Sequence, residues 1–499
     1  MKANDFSVPR RMSKSAYVVF FIHALKAWLN LFFLVVVVET FKSDKTVFDK
    51  ILYLLGLGGV LVVIAAVCAF VNYYFKKYYV EDGTLIFIHG VLHKEVTSMP
   101  LHRIQSLRTK QGLIYRLLDM KGVSFDTLAS QSEEVEMILD DADWEALLAQ
   151  IDTLRADEAD EGYSPHLVEQ GGEESGKATV LKFSNLNLIK GAFCQNHLQG
   201  MAILLSVLAT LYNELLSVNE EMANYVVGYL DKQADAATIT LSSILVLALL
   251  LYLGMLLLWM GKVFLRYFNT VVQINQDQLS FESGLISRNS SRFSYDKVST
   301  IHVKQNFLEK LLRCSTVMLQ QALNATDEKK GADVRIYGSD SAGYFLNWWL
   351  GKDYSSSSMQ VSAQSGYGMM GFSILPKLLI AFAVTLVICY YQWYVGLCLP
   401  AFYLFIVLVK DYLAVRRSCI VLKEDYVVVC SGGFAAVADY FKYSNVEVVR
   451  LKATPFTPYS CRVSLHLSTN GSSFIVRSLK EEEAKAVYEL LLSRCNMCR

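Results

Sequence analysis

Long apolar runs along the chain are the feature that most constrains its fold. Residues Ile51–Phe75 and Ile239–Met260 contain no charged side chain, and a further uncharged run covers the 32 residues Leu378–Val409. A helix needs roughly 20 mostly apolar residues to cross the hydrocarbon core of a bilayer. Charged residues make up 19% of the chain, against about 25% in soluble domains. The sequence therefore predicts an integral membrane protein.

The apolar runs predict six spans arranged as three helical hairpins. Ala16–Val38 and Gly200–Leu216 complete the first and second hairpins, and Leu378–Val409 is interpreted as two short helices turning near Gln392–Tyr394. A single tilted helix with an interfacial segment is the alternative for that last run. The amphipathic stretch Phe183–Phe193 either lies in the headgroup plane or forms a short lead-in to the third span.

Lysine and arginine residues near the span ends indicate the orientation. They precede the first span and follow the second, fourth and sixth, as Arg10, Arg11, Lys14, Lys76, Lys77, Lys262, Arg266, Lys410, Arg416 and Arg417. Positive residues are retained on the cytoplasmic side. Both termini and all large soluble segments are therefore expected to be cytoplasmic.

Three soluble segments follow the hairpins, and their residues align as repeats. Each opens with alternating apolar residues split by a polar turn, which predicts β-strands. The same two shifts, of 194 and 148 residues, align three sets: Gly90, Gly284 and Gly432; Ile104, Val298 and Val446; Lys110, Lys304 and Lys452. The glycines are expected at a turn that needs a positive φ or close packing. The chain thus predicts three copies of one β-domain.

Each segment is predicted to close with a helix, over Glu133–Leu154, over Ser341–Leu350, and after a capping box at Ser478-x-x-Glu481. The fold class is membrane α+β, with three repeats of a transmembrane hairpin followed by a small β-barrel or sandwich with a C-terminal helix. The predicted boundaries are 1–77 (N-terminal segment and hairpin), 78–155 (domain), 156–182 (acidic flexible linker), 183–267 (interfacial segment and hairpin), 268–353 (domain), 354–373 (flexible linker), 374–415 (hairpin) and 416–499 (domain).

Motifs in the soluble segments resemble the bacterial pleckstrin-homology-like (PH-like) membrane protein family, in the type that carries three such domains. The first segment has Gly90-Val-Leu, Pro100-Leu-His-Arg-Ile-Gln-Ser-Leu and Gln111-Gly-Leu-Ile-Tyr-Arg-Leu-Leu. The second keeps Gly284-Leu-Ile and Lys310-Leu-Leu, whereas the third departs most, with Ala453-Thr-Pro-Phe in place of the glutamine-containing stretch. The resemblance implies a PH-like β-barrel, a bacterial inner-membrane location, a smaller companion protein of the same type and no enzymatic activity.

Four polar residues fall inside predicted spans. His23, Lys26 and Asn30 share one helix face by their spacing, and Glu214 lies near the end of the third span. One interpretation is a polar seam between helices or a transport path. The other is that Lys26 extends its side chain to the interface, since a lysine at the bilayer centre costs about 2.5–3.5 kcal/mol.

Six basic residues are candidates for contact with anionic lipid headgroups: Lys94, Arg103, Arg108, Lys110, Lys304 and Lys452. Each basic residue near an anionic membrane surface contributes about 1 kcal/mol of attraction. The alternative is that the aligned lysines are solvated strand ends that oppose edge-to-edge aggregation.

The sequence contains none of the common nucleophile, metal or phosphate-binding motifs, so neither an enzyme nor a bound cofactor or metal is expected. A net charge of zero argues against a nucleic-acid partner. The predicted function is binding or scaffolding at the inner leaflet, with membrane lipid, a companion PH-like protein or a second copy as partner. Envelope defence against antimicrobial peptides is implied by the resemblance alone. A transporter or lipid-handling channel built from the six spans is the alternative.

Overall fold

The computed structural model describes residues 6–41, 47–90, 93–101, 104–127, 135–162, 179–195, 241–275, 278–322, 334–339, 342–351, 354, 358–390, 397–453 and 461–497. Contacts divide the chain into two compact units. The first contains 1–175, 196–266 and 282–291, and the second contains 176–195, 267–281 and 292–499.

Strands and helices alternate along the chain in three similar series. The strands are β1 Arg10–Arg11, β2 Lys77–Glu81, β3 Thr84–His89, β4 Glu95–Pro100, β5 Ile104–Gln111, β6 Met120–Thr127, β7 Val135–Asp140, β8 Thr179–Lys182, β9 Val271–Ile274, β10 Gln278–Ser283, β11 Arg288–Ser294, β12 Val298–Gln305, β13 Ser315–Gln321, β14 Val334–Ser339, β15 Met359–Gln364, β16 Cys419–Lys423, β17 Tyr426–Ser431, β18 Ala436–Lys442, β19 Val446–Lys452, β20 Arg462–Thr469 and β21 Ser472–Lys480.

The helices include both long apolar and short connecting ones. They are α1 Ala16–Phe41, α2 Val47–Phe75, α3 Leu113–Leu117, α4 Asp141–Gly162, α5 Asn185–Phe193, α6 Leu241–Tyr267, α7 Phe307–Leu311, α8 Ala342–Leu350, α9 Gly368–Tyr390, α10 Cys398–Arg417 and α11 Glu481–Met497.

The first unit holds the first hairpin, α1 and α2, and the first β-domain. Strands β1 to β4 form one antiparallel sheet, and β5 to β7 pair in order in another. Alternate residues of these strands point inward. They form a core with the first turns of α1, through Ala16 and Val19, and with α4, through Leu147 and Ile151.

The second unit holds most of the second domain and all of the third. Its largest sheet has the order β14-β13-β12-β18-β17-β16-β15, and β19, β20 and β21 form a second, three-stranded sheet. The pairing of β12 with β18 joins the second domain to the third within one continuous sheet. His302 on β12 hydrogen-bonds Asp439 on β18, and its other ring nitrogen lies 2.7 Å from Gln320 Oε1.

Each predicted hairpin is inserted between two paired strands. Strand β1 precedes the first hairpin and pairs with β2 after it; β8 and β9 flank the second hairpin, and β15 and β16 flank the third. In each case the last residue before the insertion lies opposite the first strand residue after it, namely Arg11 with Lys77, Lys182 with Val271, and Gln364 with Cys419. Sequence analysis missed this preceding strand in all three repeats.

The repeat alignment is confirmed by strand register. Lys110, Lys304 and Lys452 each lie opposite the residue 12 positions later, Gly122, Thr316 and Ser464. The aligned glycines Gly90, Gly284 and Gly432 have φ of 100°, 115° and 105°. A Cβ atom at each would overlap the carbonyl oxygen three residues further on, so glycine is required at this turn.

Two predicted boundaries are wrong because strands form where other structure was expected. Residues 359–364, predicted as part of a flexible linker, form β15, since Val361 and Ala363 alternate with exposed residues and pair with Leu422 and Ile420. Likewise β7 occupies Val135–Asp140 by pairing with β6, so the closing helix begins at Asp141, not at Glu133.

Other local predictions also change. The closing helix α4 continues to Gly162, into the segment predicted as an acidic linker. Ser478 is not a helix cap, because β21 continues to Lys480, which pairs with Arg462, and α11 begins at Glu481. The segment Phe183–Phe193 contains α5, which packs its Gly191 against Gly338 of β14 while Leu186 and Ile189 stay exposed.

Three described helical segments are long and apolar enough to cross a membrane: Phe48–Phe75, Leu249–Tyr267 and Gly368–Tyr390. Their apolar side chains face outward, as in Leu55, which is 68% exposed. Within the run Leu378–Val409, residues 378–390 belong to α9 and residues 398–409 to α10, and the two helices contact each other. The predicted span Gly200–Leu216 and the turn near Gln392–Tyr394 lie outside the described residues.

We expect Ala363→Asp to destabilise the third domain strongly. Ala363 is buried in β15, opposite Ile420, and an unpaired carboxylate there costs on the order of 3–5 kcal/mol. Thermal unfolding of the purified protein measures the loss. Ser362→Asp, on the exposed face of the same strand, is the matched control and is expected to change the unfolding temperature little. Equal effects of the two variants would show that β15 is not part of the folded domain.

Candidate functional site

The three aligned lysines occupy one position of the repeat in three different surroundings. Lys110 and Lys452 are exposed near the ends of β5 and β19. Lys304 is half-buried, because its backbone lies opposite Val437 of β18 at the junction of the second and third domains. Position in the repeat therefore does not by itself create a binding surface.

The other candidate lipid contacts are spread over the first domain. Lys94 is exposed just before β4. Arg108 lies half-buried on β5, opposite Ser124. Arg103 lies outside the described residues. Lys94 and Arg108 lie in different segments of the first domain, whereas Lys452 lines a groove with other cationic side chains.

The groove lies on the outer face of the three-stranded sheet of the third domain. It has a volume of about 260 Å³ and is lined by Val448, Arg450 and Lys452 of β19, His466, Leu467 and Ser468 of β20, and Ser473, Phe474 and Ile475 of β21. Arg450 lies opposite His466, which in turn lies opposite Ile475. The neighbouring residues Leu465 and Leu467 are buried, since side chains alternate between the two faces of a strand.

The electrostatic field in the groove is positive. Burial lowers the pKa of His466 below its usual value of 6.5, and the charges of Lys452, Arg477 and Arg450 lower it further. All three of these charges oppose protonation of the imidazole, because like charges disfavour the charged form. A cationic groove with apolar walls at Val448 and Ile475 has the chemistry of a site for an anionic, partly apolar ligand.

Of the groove residues, Lys452 lies nearest the end of the sheet at which the third hairpin begins. Arg462, the first residue of β20, donates from Nη1 to the Ser478 carbonyl over 2.8 Å. The same carbonyl accepts a hydrogen bond of 2.8 Å from the backbone N–H of Gly366, two residues before α9. Lys452 lies opposite Ser464, and two strand residues span about 7 Å. Lys452 and the start of the apolar helix therefore lie at the same end of this sheet.

Three of the four polar residues predicted inside spans lie in a described helix. His23, Lys26 and Asn30 all lie in α1, as predicted, and the side chains of His23 and Lys26 are exposed. Glu214 lies outside the described residues. The described contacts do not bring these residues together into a site.

An ion pair between a half-buried lysine and a buried carboxylate in the third hairpin was not predicted from the sequence. Lys377 Nζ lies 2.9 and 2.8 Å from the two carboxylate oxygens of Asp411 and 2.7 Å from Ser373 Oγ. Asp411 is 6% exposed. The two residues flank the uncharged run Leu378–Val409, so a search for uncharged segments excludes both. The signal in the sequence that could have predicted the pair is the position of one basic and one acidic residue on either side of a run long enough for a helical hairpin.

Metal chemistry finds no support in the described part of the chain, where no group of three or more His, Cys, Asp and Glu side chains is placed to hold a metal ion. In the C-terminal pair Cys495 and Cys498, the Cys495 thiol donates to the Tyr443 carbonyl over 3.6 Å from α11, and Cys498 lies outside the described residues.

The fold and groove define a class: a protein with apolar, membrane-length helices inserted into repeated small β-domains. A family model described as the bacterial PH domain matches three times, over residues 30–155, 224–352 and 371–494. These matches cover most of the chain, and the protein belongs to the bacterial PH domain family. A comparison with curated proteins found no significant match.

We expect the loss of either Lys377 or Asp411 alone to destabilise the protein and the loss of both together to be tolerated. Lys377→Leu or Asp411→Leu alone leaves a buried, uncompensated charge, which costs on the order of 3–5 kcal/mol, whereas the double variant removes both charges. Thermal unfolding in detergent should show two unstable single variants and a double variant near the wild type. Lys410→Leu, at an exposed neighbouring position of α10, is the control. An additive loss in the double variant would contradict this interpretation.

Proposed function

We propose that this protein is a non-enzymatic integral membrane scaffold, whose PH-like domains bind anionic lipid headgroups at the cytoplasmic face of the bacterial inner membrane. The single observation that carries the proposal is the cationic groove of Arg450, Lys452 and His466 on the outer face of the last sheet. Membership in the bacterial PH domain family supports a binding or scaffolding role.

The strand pairs around each insertion support a topology with all three domains on one side of the membrane. Partner residues in an antiparallel pair have Cα atoms roughly 4.5–5.5 Å apart, so Arg11 and Lys77 lie on the same side of a bilayer. The chain between them therefore crosses an even number of times. The same reasoning applies between Lys182 and Val271 and between Gln364 and Cys419.

Charge near the span ends supports the cytoplasmic side for these domains. Arg10 and Arg11 precede α1, and Arg416 and Arg417 lie in the last turn of α10. In the first hairpin the guanidinium of Arg11 lies 4.2 Å from the ring centroid of Tyr74, a combination of basic and aromatic side chains that favours the membrane interface. Both termini and all three domains are cytoplasmic in this proposal, which the positive charge and an even number of crossings support.

The chemistry of the groove favours an anionic lipid over a neutral one. Arg450 and Lys452 supply charge, and an arginine can bind phosphate through two parallel hydrogen bonds. The half-buried His466 adds a proton-dependent donor. Tethering by the inserted hairpins raises the local lipid concentration, so that a weak individual contact is sufficient. A companion PH-like protein and a role in defence against antimicrobial peptides belong to the same proposal through the family resemblance.

The alternative of a transporter rests on polar residues within the spans. Among the described spans, the buried polar pair Lys377–Asp411 consists of two groups that bind each other. A pair that satisfies its own charges fits a structural clamp between α9 and α10, and the groove lies outside the spans. The scaffold is therefore the function that the geometry supports best.

We expect the double variant Arg450→Ser and Arg477→Ser to weaken binding of a soluble anionic headgroup analogue to the protein. Two basic residues at an anionic surface contribute about 2 kcal/mol, or roughly a 30-fold change in affinity. Reconstituted full-length protein and a soluble anionic headgroup analogue as ligand give the affinity directly. The control is Lys485→Ser with Arg494→Ser on α11, which removes equal charge away from the groove. Equal weakening by both double variants would refute a specific site.

Binding of the anionic headgroup analogue is expected to strengthen as the pH falls. The pKa of His466 is lowered in the free groove, and a bound anion favours the imidazolium, so binding raises this pKa. Affinity therefore rises as the pH falls from above the pKa of the bound form to below that of the free form. Titrations at pH 8 and pH 5.5 measure the effect, and His466→Gln should remove most of it. A pH dependence that survives in His466→Gln would exclude this histidine as its origin.

A further inference from the structure

The two ends of the domain series carry strand edges that are complementary to each other. In the four-stranded sheet of the first domain the order is β1-β2-β3-β4, and in the last sheet of the third domain it is β19-β20-β21. Among the described strands, β4 and β19 therefore each have a hydrogen-bonded neighbour on one side. An unpaired edge is a template for pairing with another strand.

These two edges correspond in the repeat to strands that do pair inside the chain. A shift of 148 residues takes Val298 of β12 to Val446 of β19, and a shift of 342 residues takes Pro100 of β4 to Lys442 of β18. Strands β12 and β18 pair with each other and join the second domain to the third. The repeat thus has two kinds of strand edge, one in β12 and β19 and the other in β18 and β4. Strands β12 and β18 pair with each other, whereas β19 and β4 are left at the two ends of the domain series.

We infer that β19 of one copy of this protein pairs with β4 of a second copy, by the same antiparallel register as β12 with β18. The inference does not require lipid binding, but it shares Arg450 and Lys452 with the cationic groove. It continues the interdomain sheet from one molecule into the next. Such a head-to-tail contact is heterologous, so it produces a ring or an open chain of copies.

Transferring the observed register to the two edges pairs residues that fit. The pairs Val303 with Ala438 and Lys304 with Val437 become Leu451 with Val96 and Lys452 with Glu95. The first of these is an apolar pair, and Val96 is 62% exposed on its edge. The second brings opposite charges directly across the strands, which stabilises a cross-strand pair.

The remaining positions of the transferred register also avoid conflict. The pair of His302 with Asp439 becomes Arg450 with Thr97. Strand β4 therefore has a hydrogen-bonding side chain at the position that Asp439 occupies on β18. Ile301 with Tyr440 becomes Val449 with Ser98. The side chain of Glu95 is 70% exposed and lies 3.0 Å from His89 Nε2. It is therefore accessible to a lysine from a second molecule.

A five-residue strand contact is small for a stable complex in free solution. Copies in one membrane are confined to a layer and share an orientation, which raises their effective concentration. The hydrogen bonds at the internal junction, such as Gln320 to the Gly471 carbonyl at 2.6 Å, show that side chains around this strand pair add to it. We therefore expect association in membranes and dissociation on dilution in detergent.

Photo-crosslinking tests the contact directly in membranes. One copy carries a first tag and a photo-crosslinking amino acid in place of Val96, and a co-expressed copy carries a second tag alone. The expected product contains both tags, and its cross-linked peptide contains Leu451 of the second copy. A cross-link confined to one chain would overturn the inference in favour of closure within the molecule. A cross-link to a different protein, or no cross-link to β19, would overturn it as well.

Charge reversal tests the register. Glu95→Lys in the crosslinker-bearing copy should reduce the two-tag product about fivefold, since like charges directly opposite destabilise strand pairs. Lys452→Glu in the second copy should restore the product to within about twofold. Glu81→Lys, at an exposed position on β2, is the control and is expected to leave the yield unchanged. Failure of Lys452→Glu to rescue Glu95→Lys, with both variants unfolding at the wild-type temperature, would overturn the register.

Discussion

The pairing of a strand before each hairpin with a strand after it is the constraint on which the rest of this structure depends. It fixes the two ends of every insertion to within a strand spacing, at Arg11 with Lys77, Lys182 with Val271 and Gln364 with Cys419. A membrane hairpin attached in this way is part of the β-domain. Its buried end residues, such as Ala16 and Val19, contribute directly to the domain core.

Two kinds of contact extend this constraint. Backbone pairing of β12 with β18 merges the second and third domains into one sheet, and the His302, Asp439 and Gln320 side chains fix that junction. Inside the third hairpin the Lys377–Asp411 pair holds α9 against α10. Arg462 binds the carbonyl that also receives the Gly366 amide, which fixes the start of the apolar helix to the end of the sheet where Lys452 lies.

Much of this fold was predictable from the sequence because its signals are local or periodic. Apolar runs predicted the long helices, and the glycine spacing predicted a repeated turn that the positive φ at Gly90, Gly284 and Gly432 confirms. Strand β1 was not predictable, because two residues have no periodicity, whereas β15 was missed although Val361 and Ala363 alternate with polar residues. The groove required knowledge of register, since Arg450 and His466 become neighbours only through the pairing of β19 with β20.

The claim that every insertion returns to the side of the membrane on which it began is tested most directly by thiol labelling. Single cysteines replace Asp82, Glu282 and Asp425, one exposed position in each domain, in a background without native cysteines. A membrane-impermeant maleimide is applied to intact spheroplasts and to inverted vesicles. The account predicts labelling of all three positions in inverted vesicles and of none in spheroplasts. Labelling of any of the three in intact spheroplasts would contradict it.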